Sequence, residues 1–212
     1  MCDKNTGAAV RLKICGLSRP CDIDYVNEAH PDFAGFVVNY PKSRRSVTPQ
    51  QLAQLRAHLD EGVLPVGVFV NEAPELVAKL LNDGIISLAQ LHGDEDENYL
   101  KRLRTLTDGR LIQAFTIRSE KDAKLAMQST ADYILLDNGK GTGERFDWRF
   151  IREISRPWIL AGGLTPENIR QAAESLRPWA LDLSSGVETD GYKDRAKILA
   201  AAAAIRNMAG II

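Results

Sequence analysis

The sequence predicts an α/β fold, a single-domain (β/α)8 (TIM) barrel over residues 1–212, on three observations. Eight short runs rich in apolar and β-branched residues recur at near-regular spacing. Between them lie stretches with helical periodicity, and no linker or low-complexity tract breaks the alternation. A strand followed by a helix, repeated eight times, requires a parallel sheet. In a chain of 212 residues that sheet closes most economically into a barrel, with an open doubly wound sheet as the structural alternative.

Taken in order, the first run is VRLKIC from Val10. Successive strand side chains point to opposite faces, so apolar Val10, Leu12 and Ile14 pack on the helices while Arg11, Lys13 and Cys15 face the barrel axis. FAGFVV from Phe33 and PVGVFV from Pro65 follow. ISLAQLH from Ile86 turns Gln90 and His92 inward. RLIQAF from Arg110 precedes YILLD from Tyr133, which turns Leu135 and Asp137 inward. WILAGG from Trp158 and ALDLSS from Ala180 complete the set, the last pointing Asp182 and Ser184 inward. Among the intervening stretches, PELVAKLLNDG, ENYLKRLRTLTDG and PENIRQAAESLRP show the proline or acidic openings and glycine closures of helices. The acids Asp94 to Glu97 favour the start of the helix that follows them. Inward residues at the strands' C-terminal ends meet at the mouth, where barrel enzymes keep their chemistry.

Composition narrows the function. Lysine plus arginine (27) nearly balances aspartate plus glutamate (28), leaving a formal charge of −1. Such a chain has no global basic field for nucleic acid or an anionic membrane, so the expected partner is a small molecule. The opening MCDKNTGAAVRLKICG lacks the apolar core of a signal peptide, and no run approaches the roughly 18 apolar residues of a membrane span. The expected location is cytoplasmic. Cys2, Cys15 and Cys21 show neither paired CxxC spacing for zinc nor a disulfide framework.

Several inward or loop residues suit chemistry. Cys15 is readable as a small core residue. At an inward strand end beside Gly16 and near Lys13, it also suits a thiolate base, since neighbouring positive charge lowers a thiol pKa from about 8.5. Asp137 either caps the next segment or serves as the acid facing Cys15 across the mouth. Ala161-Gly162-Gly163-Leu164 and Ser184-Ser185-Gly186-Val187 are either ordinary tight turns or the phosphate site that barrels place after their last two strands. The loop NGKGTGERFDW, with Gly139, Gly141 and Gly143, is a surface connection or a mobile cover beside Asp137. YPKSRRSV places Lys42, Arg44 and Arg45 over the mouth, where a guanidinium matches a carboxylate as lysine does not. His92 is a satisfied buried histidine or a pocket residue.

Seven segments in order resemble the phosphoribosylanthranilate isomerase family of tryptophan biosynthesis. They are LKICGL at 12–17, GFVVNYPKSRRSV at 35–47, VGVFVN at 66–71, QLHGDE at 90–95, LLDNGKGTGERFDW at 135–148, AGGLTPENI at 161–169 and DLSSGVE at 182–188. The resemblance implies an intramolecular oxidoreductase, an aldose-ketose isomerase without metal or redox cofactor. Its reaction is the Amadori rearrangement of N-(5-phosphoribosyl)anthranilate, an aminoaldose, to an aminoketose. It also implies Cys15 as general base, Asp137 as general acid and Arg45 as the contact for the anthranilate carboxylate. Asp182 and His92 fall to substrate binding, and Gly162, Gly163, Ser185 and Gly186 to phosphate. The absence of a nicotinamide fingerprint and of clustered metal ligands agrees with this. Two departures stand beside the mouth: GFVVNYPKS is one residue longer than the family's GFVFYPKS, and the glycine loop after Asp137 is shorter than the GGTG form. The competing readings are another phosphosugar isomerase, such as that of histidine biosynthesis, which favours aspartate in place of Cys15, and a non-catalytic phosphate-binding barrel. Association with other enzymes of the tryptophan pathway is left open.

Overall fold

Alternating apolar and inward positions build two layers around one ring of strands. The computed structural model describes residues 10–137, 148–151 and 154–209. Its strands are β1 (Arg11–Cys15), β2 (Phe33–Val38), β3 (Ser46–Val47), β4 (Leu64–Phe69), β5 (Leu88–Leu91), β6 (Arg110–Thr116), β7 (Tyr133–Asp137), β8 (Trp158–Leu160) and β9 (Ala180–Leu183). All but β3 form the barrel: β1 pairs in parallel with both β2 and β9, so the ring closes and the open-sheet alternative falls. The two-residue β3 lies beside the end of β2.

The outward faces, among them Leu12, Ile14, Phe36, Phe69 and Leu136, merge with helix side chains into the larger core. The inward faces place Phe33, Val66, Leu88, Ile112, Leu135, Ile159 and Ala180 in a second cluster that fills the barrel. Inward-facing Arg11 lies at the opposite end from the mouth, 4.7 Å over the Trp179 ring, which also stacks on Tyr133.

The helices are α1 (Pro20–Ala29), α2 (Pro49–Arg56), α3 (Pro74–Asn82), α4 (Glu97–Arg104), α5 (Glu120–Met127), α6 (Ile169–Leu176) and α7 (Arg195–Ala209). Their starts follow local chemistry. Proline opens the first three, where its missing N–H costs nothing, and Thr48 and Gln51 form a reciprocal capping box on α2. Asp96 caps α4 by accepting from the Tyr99 N–H at 2.9 Å. Glu95 departs from the expectation for this acidic run. Its carboxylate accepts from the Asn71 and Gly93 N–H groups at 2.6 and 2.7 Å, which ties the loop after β4 to the loop after β5.

The eightfold strand-helix alternation is not uniform. Between β7 and β8 the described residues hold a 3-10 helix, Trp148–Ile151, in place of an α-helix. After β9, a 3-10 turn (Ser185–Val187) leads into a hairpin of β10 (Glu188–Thr189) and β11 (Tyr192–Lys193) before α7. Asp190 and Gly191 connect that hairpin with φ of 51° and 83°, the two positive values that a type I′ turn requires. Among the described residues no helix is long and apolar enough to cross a membrane.

Candidate active site

The C-terminal ends of the strands enclose a cavity of about 270 Å³. Cys15, Arg45, His92, Asp137, Asp182, Gly162, Gly163, Ser185 and Gly186 all line it, so the structure brings together the residues assigned above to catalysis, substrate and phosphate, whereas Lys42 and Arg44 of the loop after β2 do not line it. The loop after β2 carries Arg45 to the mouth. In that loop Asn39 takes φ 51°, a left-handed conformation that asparagine tolerates, and its N–H bonds to the Val47 carbonyl. Gly139, Gly141 and Gly143 lie outside the described residues, as does Cys2.

Cys15 ends β1 in register with Gly35 of β2. A Cβ on Gly35 would stand 2.8 Å from Cys15 Sγ and 3.1 Å from Lys13 Nζ, so glycine is what leaves room for thiol and ammonium side by side. Lys13, two residues earlier on the same face, is in register with Asp182 of β9 and donates to its Oδ2 at 2.9 Å while fully buried. This arrangement corrects the expectation of a thiolate held by Lys13. Burial pushes the Cys15 thiol above its ordinary pKa; Lys13 pulls down, but Asp182 pushes up and shares the ammonium's charge.

His92 Nε2 lies 3.8 Å from Asp137 Oδ2 across the end of the sheet. Its exposed face belongs to the cavity wall, where desolvation lowers the imidazole pKa against the opposing pull of Asp137. Gln90 Nε2 and His92 Nδ1 lie 2.8 Å apart, a hydrogen bond whose direction follows the imidazole tautomer. Gln90 Oε1 and Asp182 Oδ1 are buried acceptors without a partner among the described residues. Both residues line the cavity, and an unmet buried acceptor costs roughly 1–3 kcal/mol, so each favours a ligand hydroxyl or N–H.

Gly162 and Gly163, at φ 87° and 68°, turn the chain after β8, and Asn168 braces the turn by donating to the Gly163 carbonyl at 2.8 Å. The turn after β9 presses directly on it: a Cβ on Gly186 would lie 1.9 Å from the Leu164 carbonyl oxygen. Arg45 is not a bare cation. Its Nε and Nη2 donate to Glu188 Oε1 and Oε2 at 2.6 and 2.7 Å. Glu188 also accepts from Arg44 at 2.8 Å and from buried Lys193 at 2.6 Å, and Arg45 and Lys193 hold its carboxyl at about 2, against the effect of burial.

Sequence reasoning assigns no role to Gln90, Glu188 or Lys193. The Asp-Gly pair at 190–191, with Glu188 and Lys193 set symmetrically about it, is a hairpin signal that makes them cross-strand neighbours. No local signal shows that the pair reaches Arg45.

The family model described as N-(5'phosphoribosyl)anthranilate (PRA) isomerase matches residues 12–203. A relative from Endomicrobium trichonymphae named N-(5'-phosphoribosyl)anthranilate isomerase is 38% identical over 203 residues, covering 93% of this chain and 99% of its own. The crystal structure of phosphoribosyl anthranilate isomerase from Thermotoga maritima superposes with a TM-score of 0.84 at 35% identity, over 93% of this chain and 99% of that one. A structure of phosphoribosyl anthranilate isomerase in complex with reduced 1-(o-carboxyphenylamino)-1-deoxyribulose 5-phosphate matches at TM-score 0.82 and 35% identity, with coverage of 93% and 99%. Motif order, barrel and cavity agree with end-to-end relatedness: the chain belongs to the N-(5'-phosphoribosyl)anthranilate isomerase family.

Proposed function

We propose that residues 1–212 act as one catalytic domain that converts N-(5-phosphoribosyl)anthranilate to 1-(2-carboxyphenylamino)-1-deoxyribulose 5-phosphate. The observation that carries the reading is a buried thiol and an acid at the ends of β1 and β7, facing one cavity between an arginine and two glycine turns. Those groups suit a substrate that is anionic at both ends and rearranged in the middle. The paired turns would hold the phosphate through backbone N–H groups, and Arg45 would hold the carboxylate. Asp182 Oδ1 and Gln90 Oε1 supply acceptors for the sugar hydroxyls between them.

Asp137 gives its proton to the furanose ring oxygen while the C1–O bond breaks and the nitrogen lone pair forms C1=N. The cationic Schiff base acidifies the C2 hydrogen, and its charge acts on the Cys15 sulfur in the same direction as Lys13. The thiolate form of Cys15 takes the C2 proton, and the electrons of that bond neutralise the nitrogen to give the enolamine. The Asp137 carboxylate takes back the C2 hydroxyl proton and the Cys15 thiol returns its proton to C1, which yields the ketone and restores both groups to their starting forms.

The test is loss of substrate fluorescence with purified protein and no added cofactor. Turnover is expected, with Cys15→Ser and Asp137→Asn each lowering kcat on the order of 10²–10⁴ while binding persists. Wild-type protein without turnover, or variants that keep most of their kcat, would sink the assignment.

A further inference from the structure

We infer that Glu188 is the positioning residue that aims Arg45 at the substrate's carboxylate. The inference rests on the reading of Arg45 proposed above and goes one step behind it. A guanidinium has two edges able to make a paired contact, Nε with Nη2 and Nη1 with Nη2. Glu188 takes the first with both carboxylate oxygens, which leaves the Nη1–Nη2 edge for a ligand in the cavity that Arg45 lines. Arg45 therefore offers one fork in one direction rather than sweeping the mouth on a flexible stem.

The aim is fixed from three sides. The Asp190-Gly191 turn sets Glu188 opposite Lys193, and Lys193 Nζ bonds to both Glu188 Oε1 and the Ser184 carbonyl at 2.6 and 3.0 Å. The carboxylate is thereby anchored to the residue that precedes the Ser185-Gly186 turn. Below Arg45, Gly16 supplies the space: a Cβ there would stand 2.4 Å from Arg45 Cδ. Glu188 is also the shared anion of Arg44, Arg45 and Lys193, so its removal would leave three cations facing one another.

Glu188 could instead be a rival that occupies Arg45 until substrate displaces it. The two roles predict opposite signs. Binding is measured by calorimetry for reduced 1-(o-carboxyphenylamino)-1-deoxyribulose 5-phosphate and for its phenylamino counterpart lacking the carboxylate. Wild type should prefer the first, and Glu188→Gln should weaken that ligand by about tenfold to a hundredfold while changing the second by less than about twofold. Turnover should show the loss in KM, with kcat nearly kept, and Glu188→Asp should restore part of the affinity. Independently of any ligand, the Arg45 Nε–H resonance, identified by its absence in Arg45→Lys, should lose its exchange protection in Glu188→Gln. If that variant does not fold, Glu188→Asp carries the test, with an intermediate loss confined to the carboxylated ligand. Equal loss for both ligands, no loss, or tighter binding overturns the inference while leaving the Arg45 reading intact. A wild-type protein that binds both ligands equally overturns that reading and the inference with it.

Discussion

Replacing Gly186 with alanine moves both glycine turns at once. The new Cβ would stand 1.9 Å from the Leu164 carbonyl oxygen and 3.2 Å from Thr165 Cα, both backbone atoms that cannot rotate aside. An ordinary contact begins at 3.4 Å, so one turn must withdraw by about 1.5 Å, and overpacking of this kind costs about 1–3 kcal/mol. In a domain of this length each kcal/mol is worth about 2–4 °C, so melting should fall by several degrees. The larger effect is on binding, because a misplacement of about 1 Å can cost on the order of 10². Steady-state kinetics should show KM raised by about that factor, inhibition by inorganic phosphate weakened in parallel, and kcat little changed, since Cys15 and Asp137 stand on other strands. A Gly186→Ala protein that phosphate inhibits as strongly as wild type would refute the assignment of these turns to phosphate.

The Cys15 thiol should react with an alkylating reagent along a pH curve whose midpoint lies above the ordinary thiol value of about 8.5. Asp182→Asn should lower that midpoint and Lys13→Met raise it; a wild-type midpoint below about 8 would contradict the dominance of burial. Because the folded pKa is raised, the unfolded chain loses this proton first. Stability should therefore decline as pH climbs from about 8.5 toward the folded value, a slope that Cys15→Ser removes in thermal melts. Glu188 has the opposite sign: its carboxyl falls from 4.5 to about 2, so its contribution is complete above 4.5 and lost as pH drops toward 2. Melts of Glu188→Gln should show a flatter acid limb, and an unchanged limb would count against the ion-pair cluster. Gly35→Ala should crowd Cys15 Sγ and lower kcat on the order of 10² with the fold intact, whereas wild-type kcat would show that the thiol needs no such clearance.

Strand parity is a local property of the chain, and for that reason much of the site is legible in the amino-acid order alone. Side chains alternate within each strand wherever it finally lies, so the apolar neighbours of Cys15, Gln90, His92, Asp137 and Asp182 are enough to assign them inward. Helix starts are local in the same way, since a proline or a capping side chain acts within one turn. Which inward groups meet is not local. Lys13 and Asp182 are 169 residues apart and Arg45 and Glu188 are 143 apart, and only closure of the barrel, with its register, brings each pair to bonding distance. The sign of the Cys15 shift belongs to the same class. The sequence shows Lys13 two residues away and argues for a lowered pKa, but desolvation sums over every element packed around the sulfur. Glu95 shows the reverse side of this rule: its place in an acidic run before α4 suggests a helix start, and two backbone N–H groups of neighbouring loops claim its carboxylate instead. The chain by itself determined which residues face the mouth; the tertiary structure decided their partners and their charge, because pairing and desolvation depend on neighbours far away in sequence.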